Sequence, residues 1–133
     1  MLEIKDLGVK IGERQVLRDI NLHVKEGETH VLMGPNGSGK TTLLRAIMGF
    51  AGLEVTSGQI FFKGKDVTKT PIHERAKLGM GMLFQRPPTI AGLKLGKLLA
   101  VTSGERAGMV SEYTRYLHMD NFMDRAINLG FSG

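Results

Sequence analysis

The sequence contains no cysteine and no tryptophan, and only 6% of its 133 residues are aromatic. Without cysteine the chain can form no disulfide and cannot ligate a metal or cluster through thiolates. No apolar run is long enough to cross a bilayer, and the charged residues within 1–6 do not fit a signal peptide. We therefore expect a cytoplasmic protein, and the length suits one domain with a real core.

Positive charge exceeds negative charge, with 18 Lys and Arg against 13 Asp and Glu and a formal net charge of +5. Nucleic-acid binding is one interpretation of a basic chain. However, the basic residues are scattered, without a dense run or interleaved aromatic residues. The pattern favours a mildly basic, solvated surface, so we expect no nucleic-acid partner.

The most informative segment is glycine-rich and covers residues 34–41, with the sequence GPNGSGKT. The apolar residues before it predict a strand over 29–33, and the apolar periodicity after it predicts a helix over 42–48. A strand, a GxxxxGKT loop and a helix form the phosphate-binding P-loop pattern. The alternative is a glycine-rich turn that only caps a helix, and both flanking segments argue against it.

Each residue type in this segment has a physical role. The three glycines permit positive φ and close approach of the backbone, and the loop amides then converge on an anion at the positive end of the helix. Lys40 would neutralise the β- and γ-phosphates, and the hydroxyl of Thr41 would ligate Mg²⁺. The chain is thus predicted to bind a nucleoside triphosphate. The binding residues would be Gly34, Pro35, Asn36, Gly37, Ser38, Gly39, Lys40, Thr41 and Thr42.

The rest of the pattern predicts strands first and helices later. Alternating residues predict strands over 2–7 and 20–24, a segment between turn residues predicts one over 59–63, and a short apolar run predicts one over 80–84 that ends at Gln85. Pro71 predicts a helix from Thr70 to about Leu78. Three further helices are predicted over residues 95–101, 105–117 and 121–125. We therefore predict a β-rich P-loop core over 1–92 and a helical subdomain over 93–133.

Taken together, these segments resemble the N-terminal half of an ABC-type ATPase. Residues 16–22 and 26–28 are similar to the family's lead-in to the P-loop, and residues 57–60 and 64–67 to its next hairpin. The sequence FQRP at 84–87 resembles its Q-loop, and FSG at 131–133 resembles the opening of its signature motif. The resemblance implies an α/β P-loop NTPase fold with an N-terminal antiparallel β portion, a helical subdomain, and ATP and Mg²⁺ as ligands.

The resemblance also implies roles outside the P-loop. Gln85 would hold Mg²⁺ or touch the attacking water, and would act with Lys40 in catalysis. Ser132 and Gly133 would contact the γ-phosphate held by the P-loop of a second, head-to-tail subunit. Their alternative is a flexible Ser-Gly terminus or a tag remnant. Ile11 stands where many family members stack an aromatic residue on adenine, which leaves the base selectivity open.

The family pattern continues beyond the signature with a Walker B aspartate, a neighbouring glutamate that activates water, and a switch histidine. No such position lies within the 133 residues. Phosphoryl transfer needs metal, water and γ-phosphate to be positioned together. We therefore expect this chain by itself to bind nucleotide weakly if at all and to hydrolyse it negligibly, and a non-enzymatic nucleotide-binding fragment is an alternative.

Several stretches are similar to the SUF iron–sulfur cluster assembly ATPases (SufC-type) within the family. They are EVT at 54–56, FFKGKD at 61–66, ERA at 74–76, NLGFSG at 128–133, and His30 ahead of the P-loop. This resemblance implies SUF scaffold proteins as partners. The alternative is the motor subunit of a membrane transporter, which would dock transmembrane permease subunits through the helical subdomain and lie at the membrane surface.

Overall fold

The computed structural model describes residues 1–85, 90–104 and 107–127. Backbone contacts divide the chain into two compact units, Met1–Met82 and Leu83–Gly133. The sequence predicts a domain boundary between residues 92 and 93, ten residues after this division. That domain boundary stays a prediction. Gln85 belongs to the second unit, whereas the whole glycine-rich loop belongs to the first.

A four-stranded antiparallel sheet forms the framework of the first unit. Its strands are β1 (Leu2–Ile11), β2 (Arg14–Val24), β3 (Glu54–Phe62) and β4 (Lys65–Asp66), in the order β2-β1-β3-β4. The strands predicted over 2–7 and 20–24 are confirmed as parts of β1 and β2, and residues 59–62 of the third prediction lie in β3. Two residues, Gly12 and Glu13, connect β1 to β2.

The central strand β1 does not keep a strict alternation of buried and exposed residues. Its register against β2 and β3 shifts after Ile4, and Asp6 takes a φ of +47°. An extra residue in a strand moves the residues beyond it to the other face of the sheet. For this reason Ile4, Leu7 and Val9 are all buried although their spacing is uneven.

Helix α1 (Lys40–Met48) packs on this sheet and confirms the helix predicted after the glycine-rich loop. It ends at Gly49, whose φ of +73° allows its amide to bond back to the carbonyl of Ala46 at 3.1 Å. The buried core joins the sheet and the helix. It contains Ile4, Leu7, Val9, Leu17, Leu43, Ala46, Ile47, Met48, Ile60, Phe62, Val67 and Met80.

Helix α2 (Ile72–Lys77) follows the sheet and confirms the helix predicted after Pro71. Proline lacks an amide hydrogen and has a fixed φ, so it suits the start of a helix. Pro71 takes the N-cap position, and Leu78 takes the C-cap position. The predicted bounds of this helix were therefore correct to within two residues.

The strands predicted over 29–33 and 80–84 are wrong for this chain, because neither segment is a strand in the structure. Val31 and Met33 are 74% and 82% exposed. A strand exists only where its backbone amides and carbonyls pair with a neighbouring strand. Among the described residues no strand pairs with either segment, so the apolar pattern alone does not produce one.

The described part of the second unit contains a small two-stranded sheet and two α-helices. Strand β5 (Ile90–Lys94) pairs antiparallel with β6 (Ala126–Ile127), and between them lie α3 (Leu95–Ser103) and α4 (Ala107–Tyr116). Helices α3 and α4 confirm the first two helices predicted here, apart from residues 105 and 106, which lie outside the described residues. The third predicted helix is reduced to one 3₁₀ turn over Asp120–Phe122, and the β5–β6 pair was not predicted.

The helices of the described segments are all short, and each contains both polar and apolar residues. None of them is long and apolar enough to cross a membrane.

Candidate phosphate-binding site

The glycine-rich loop takes the backbone conformation that its glycines were expected to permit. Gly34, Gly37 and Gly39 have φ values of +150°, +82° and +94°. Residues with side chains rarely adopt such values. Within the loop the amide of Ser38 donates to the carbonyl of Pro35 at 3.3 Å. The loop therefore curves back on itself directly before α1 begins.

Gly39 is required by packing as well as by its φ. A Cβ atom at this position would lie 2.8 Å from Cδ2 of Leu17 and 3.7 Å from the carbonyl oxygen of Val16, both in β2. Real Cβ atoms do not approach other atoms as closely as 2.8 Å, so any larger residue would force Leu17 to shift. The end of the loop thus lies against β2 directly before α1 begins.

The first turn of α1 presents amides without an internal partner. The first amides of any helix lack a hydrogen-bond acceptor within the helix, and the helix dipole makes this end positive. In α1 no side chain caps the N-terminus, and no acidic residue lies in the first turn. Lys40, Thr41 and Thr42 therefore offer their amides to an external anion, as helices that bind phosphate do.

The side chain of Lys40 folds back over the loop. Its Nζ donates to the carbonyl oxygens of Gly34 and Pro35, both at 2.7 Å. An ammonium group has three donors, so two of them fix the direction of the side chain. This places a positive charge at the concave side of the loop, where the glycines leave the backbone open.

Thr41 and Gln85 are the residues predicted to ligate Mg²⁺. Hydroxyl and amide oxygens are hard ligands of the kind this ion prefers, and both side chains are exposed. Thr41 lies in the first unit and Gln85 in the second, so their joint ligation of one ion stays a prediction. Within residues 1–85, 90–104 and 107–127, no cluster of three or more His, Asp or Glu side chains could hold a metal by itself.

Ile11 lies at the tip of the β1–β2 hairpin. It pairs with Arg14 across the turn, where Gly12 has a φ of +55°, and it is 44% exposed. Arg14 precedes Leu17, the residue in contact with Gly39, by three positions in β2, which corresponds to about 10 Å along a strand. Ile11 thus lies on the hairpin that ends about three residues beyond the strand position touching the loop, and its contact with the base stays a prediction.

Two predicted residues, Ser132 and Gly133, lie outside the described residues. Conversely, Arg75 is not among the site residues predicted from the sequence, where ERA at 74–76 served only as part of the family resemblance. The structure buries this side chain among backbone carbonyls at the far end of α1, and burial lowers the pKa of its guanidinium, an effect that Asp66 opposes. Its place on a short helix between Glu74 and Ala76 offers no pattern that distinguishes it from a surface arginine.

Comparisons with known proteins agree with these features. The family described as ABC transporter matches residues 17–133. Vegetative protein 296 of Bacillus subtilis (strain 168) is 40% identical over 145 aligned residues, which cover 99% of this chain and 56% of the relative. The probable ATP-dependent transporter SufC of Escherichia coli (strain K12) is 38% identical, with 100% and 60% covered. An uncharacterised ABC transporter ATP-binding protein of Methanocaldococcus jannaschii, MJ0035, is 36% identical, with 100% and 57% covered.

Solved structures with the same fold are also known. One is MJ1267, the ATP-binding cassette of an ABC transporter, with a TM-score of 0.79 and 24% identity; the match covers 100% of this chain and 59% of that one. Another is the dimer of the cassette MJ0796 in a post-hydrolysis state with ADP and Pi. Its TM-score is 0.71 and its identity 24%, over 96% and 62% of the two chains. The chain spans between 56% and 60% of the length of the three sequence relatives.

Proposed function

The chain belongs to the ABC transporter family, and we propose that it contributes the ATP-binding P-loop to an ABC-type ATPase. The observation that carries this proposal is the combination of loop and helix at residues 34–42. Three glycines with positive φ, an uncapped helix N-terminus and a lysine folded over the loop form a cradle for polyphosphate. A helix cap without nucleotide function would need neither the lysine nor the open N-terminus.

The residues present fit ATP and Mg²⁺. The amides of the first turn of α1 would bind the phosphate oxygens, and Lys40 would exchange its loop carbonyls for the β- and γ-phosphates. Thr41 and Gln85 would hold Mg²⁺, which when bound neutralises phosphate charge. Ile11 would give the base an apolar contact in place of aromatic stacking, which leaves the base selectivity open.

Lys40→Ala tests the proposed nucleotide site. The variant should weaken the binding of Mg·ATP at least tenfold in calorimetry, about 1.4 kcal/mol, because it removes the charge nearest the phosphates. Lys69→Ala is the matched control, since Lys69 is an exposed lysine of the same unit outside the loop. Equal affinities for the Lys40 variant and the unsubstituted chain would contradict the assignment.

We propose hydrolysis for a protein of the length of the relatives rather than for these residues alone. The chain spans less than two thirds of those relatives, and the groups that activate water are expected in the remaining part. In such a protein two subunits would associate head to tail, with Ser132 and Gly133 of each facing the P-loop of the other. The dimeric form of MJ0796 supports self-association, and the head-to-tail arrangement follows from the family resemblance.

The branch that we favour is SUF-type iron–sulfur cluster assembly in the cytoplasm, with SUF scaffold proteins as partners. Its support is the similarity to SufC of Escherichia coli together with the segments at 54–56, 61–66 and 74–76. Relatives such as MJ0035, which is named as an ABC transporter ATP-binding protein, favour the alternative of a motor subunit that docks transmembrane permease subunits.

Affinity purification from detergent-solubilised cells separates the two branches, because detergent keeps both soluble and membrane partners in the extract. Recovery of soluble scaffold proteins would support the SUF branch. The opposite result would be an integral-membrane protein whose recovery requires ATP and is lost with Lys40→Ala. It would contradict the SUF branch and support the transporter alternative.

A further inference from the structure

Arg75 is the most deeply buried charged side chain among the described residues, with 2% of its surface exposed. A buried charge is costly unless it is hydrogen-bonded. Its Nε donates to the carbonyl of Thr70 at 2.7 Å, and its Nη2 donates to that of Thr68 at 2.9 Å. Its Nη1 donates to the carbonyls of Ala46 and Ile47 at 2.8 and 2.7 Å.

These four acceptors belong to two separate parts of the unit. Ala46 and Ile47 lie in the last turn of α1, where helix carbonyls lack a partner within the helix. Thr68 and Thr70 lie in the connection between β4 and α2. Because Arg75 itself is in α2, a single planar guanidinium joins α1, α2 and the connection, which an ammonium with one donor atom cannot do.

The backbone of α1 is shaped to receive this guanidinium. A Cβ atom at Gly49, directly after the helix, would lie 2.8 Å from Nε and 2.9 Å from Cζ of Arg75. Gly49 also has a φ of +73°. The guanidinium therefore lies flat against the chain at the point where α1 ends.

Helix α1 is consequently held at both ends. At its start Gly39 lies against Leu17 of β2, and at its end the last turn is bonded to Arg75. A helix of nine residues is a stiff rod of about 13 Å, so a shift or tilt at one end is carried to the other. We infer that Arg75 is a positioning residue for nucleotide binding: by fixing the end of α1 it sets the place of Lys40 and of the first-turn amides. This inference rests on the proposed nucleotide function of the loop.

Arg75→Met removes all four hydrogen bonds and keeps most of the side-chain length. We expect it to weaken Mg·ATP binding about tenfold in the folded protein, because small misplacements of binding groups have large effects. Arg75→Lys should recover only part of this loss. The control is Lys77→Met, which removes an exposed lysine of the same helix that pairs with Glu74. Wild-type affinity in folded Arg75→Met would overturn the inference.

Gly49→Ala tests the same contact without touching the arginine, and it remains informative if Arg75→Met does not fold. Its control is Gly52→Ala, because Gly52 also has a positive φ, +81°, but no atom lies within 4 Å of a Cβ built there. Both variants carry similar backbone strain, and only Gly49→Ala displaces the guanidinium. Weaker nucleotide binding in Gly49→Ala alone is expected, and equal binding in both variants would contradict the role of Arg75.

Hydrogen exchange without nucleotide separates this inference from the proposed function. The amide of Leu43, bonded to the carbonyl of Gly39 at 2.9 Å, reports on the start of α1. In Arg75→Met it should exchange about tenfold faster relative to the amides of β1, because the loosened helix opens locally. An equal increase in exchange rate for the Leu43 amide and the β1 amides would show that Arg75 only stabilises the fold as a whole. The exchange measurement needs no nucleotide, so it decides on Arg75 even where the unsubstituted chain fails to bind Mg·ATP, a result that would count against the proposed nucleotide site and not against this contact.

Discussion

The amide of Gly96 donates a hydrogen bond of 2.9 Å to the carbonyl oxygen of Met123, and it joins the first turn of α3 to the segment before β6. The neighbouring amide of Leu95 donates to the carbonyl of Arg125 at 3.0 Å, and Lys94 forms an ion pair of 2.8 Å with Asp124. Together with the β5–β6 pairing, these bonds hold residues 90–96 beside residues 123–127.

Gly96→Ala should destabilise this junction. A Cβ atom at Gly96 would lie 3.2 Å from the carbonyl oxygen of Met123, so the two segments must move apart. We expect a loss of about 1 kcal/mol in the free energy of unfolding, despite the better helix propensity of alanine. Gly108→Ala is the control in the first turn of α4, where nothing lies within 4 Å, and it should stabilise by about 0.5–1 kcal/mol. Urea titration measures both, and the same sign for both would refute the explanation.

Gly39→Ala should be more harmful than Gly37→Ala, although both glycines have positive φ. Strain at such a φ costs about 1–3 kcal/mol at either position. Only Gly39→Ala adds a collision with Leu17, since nothing lies within 4 Å of a Cβ at Gly37. Chemical denaturation of the two variants measures the difference directly. Equal losses would mean that the loop does not lie against β2 as described.

Acidification should destabilise the first unit through Asp66. Hydrogen bonds from the Thr68 side chain and then from its amide lower the pKa of this carboxyl below its ordinary value of 3.8. Because the folded-state pKa is the lower one, the stabilisation is complete above 3.8 and is lost as pH falls from there through the folded-state pKa.

The test is the denaturation midpoint at pH 7 and pH 3 for the unsubstituted chain and for Asp66→Asn. The loss between the two pH values should be smaller in Asp66→Asn, because an amide does not titrate. The carboxyls of Glu28, Glu74 and Asp124, whose pKa values are also lowered, titrate alike in both proteins. An identical loss in the two proteins would exclude a contribution from Asp66.

Met33→Lys tests the exposed segment ahead of the glycine-rich loop. Its side chain is 82% exposed, so the substitution should change the free energy of unfolding of this chain by less than about 0.5 kcal/mol. Ile60→Ala is the reference for a buried position, since Ile60 is fully buried, and should cost about 2–5 kcal/mol. A loss of several kcal/mol on Met33→Lys would show that residues 29–33 form the buried strand that the sequence pattern predicts.

The features that could be predicted are those that depend on neighbours in the sequence. The apolar spacing after Lys40 and the glycine at 49 are enough to define α1, and Pro71 is enough to start α2. The GxxxxGKT pattern likewise predicts the positive φ values and the lysine beside the loop. These are local effects of sterics and hydrogen bonding, so one sequence suffices.

The features that could not be predicted depend on partners distant in the chain. An apolar run such as 29–33 has the composition of a strand, but pairing is decided by whether another strand lies beside it. The β5–β6 pair joins segments more than thirty residues apart and has only two residues in its second strand. The register shift in β1 also cannot be predicted from the order of apolar and polar residues. It nevertheless decides that Leu7 rather than Asp6 faces the core.

The sequence by itself determined the phosphate-binding loop, its lysine and the helix behind it, because a glycine that needs positive φ and an apolar helical stripe are local properties. Only the tertiary structure decided that Gly39 lies against Leu17 and that Arg75 binds the last turn of α1. The physical reason is that a buried arginine is stable only where acceptors surround it, and here four backbone carbonyls converge on it when the sheet, α1 and α2 pack together.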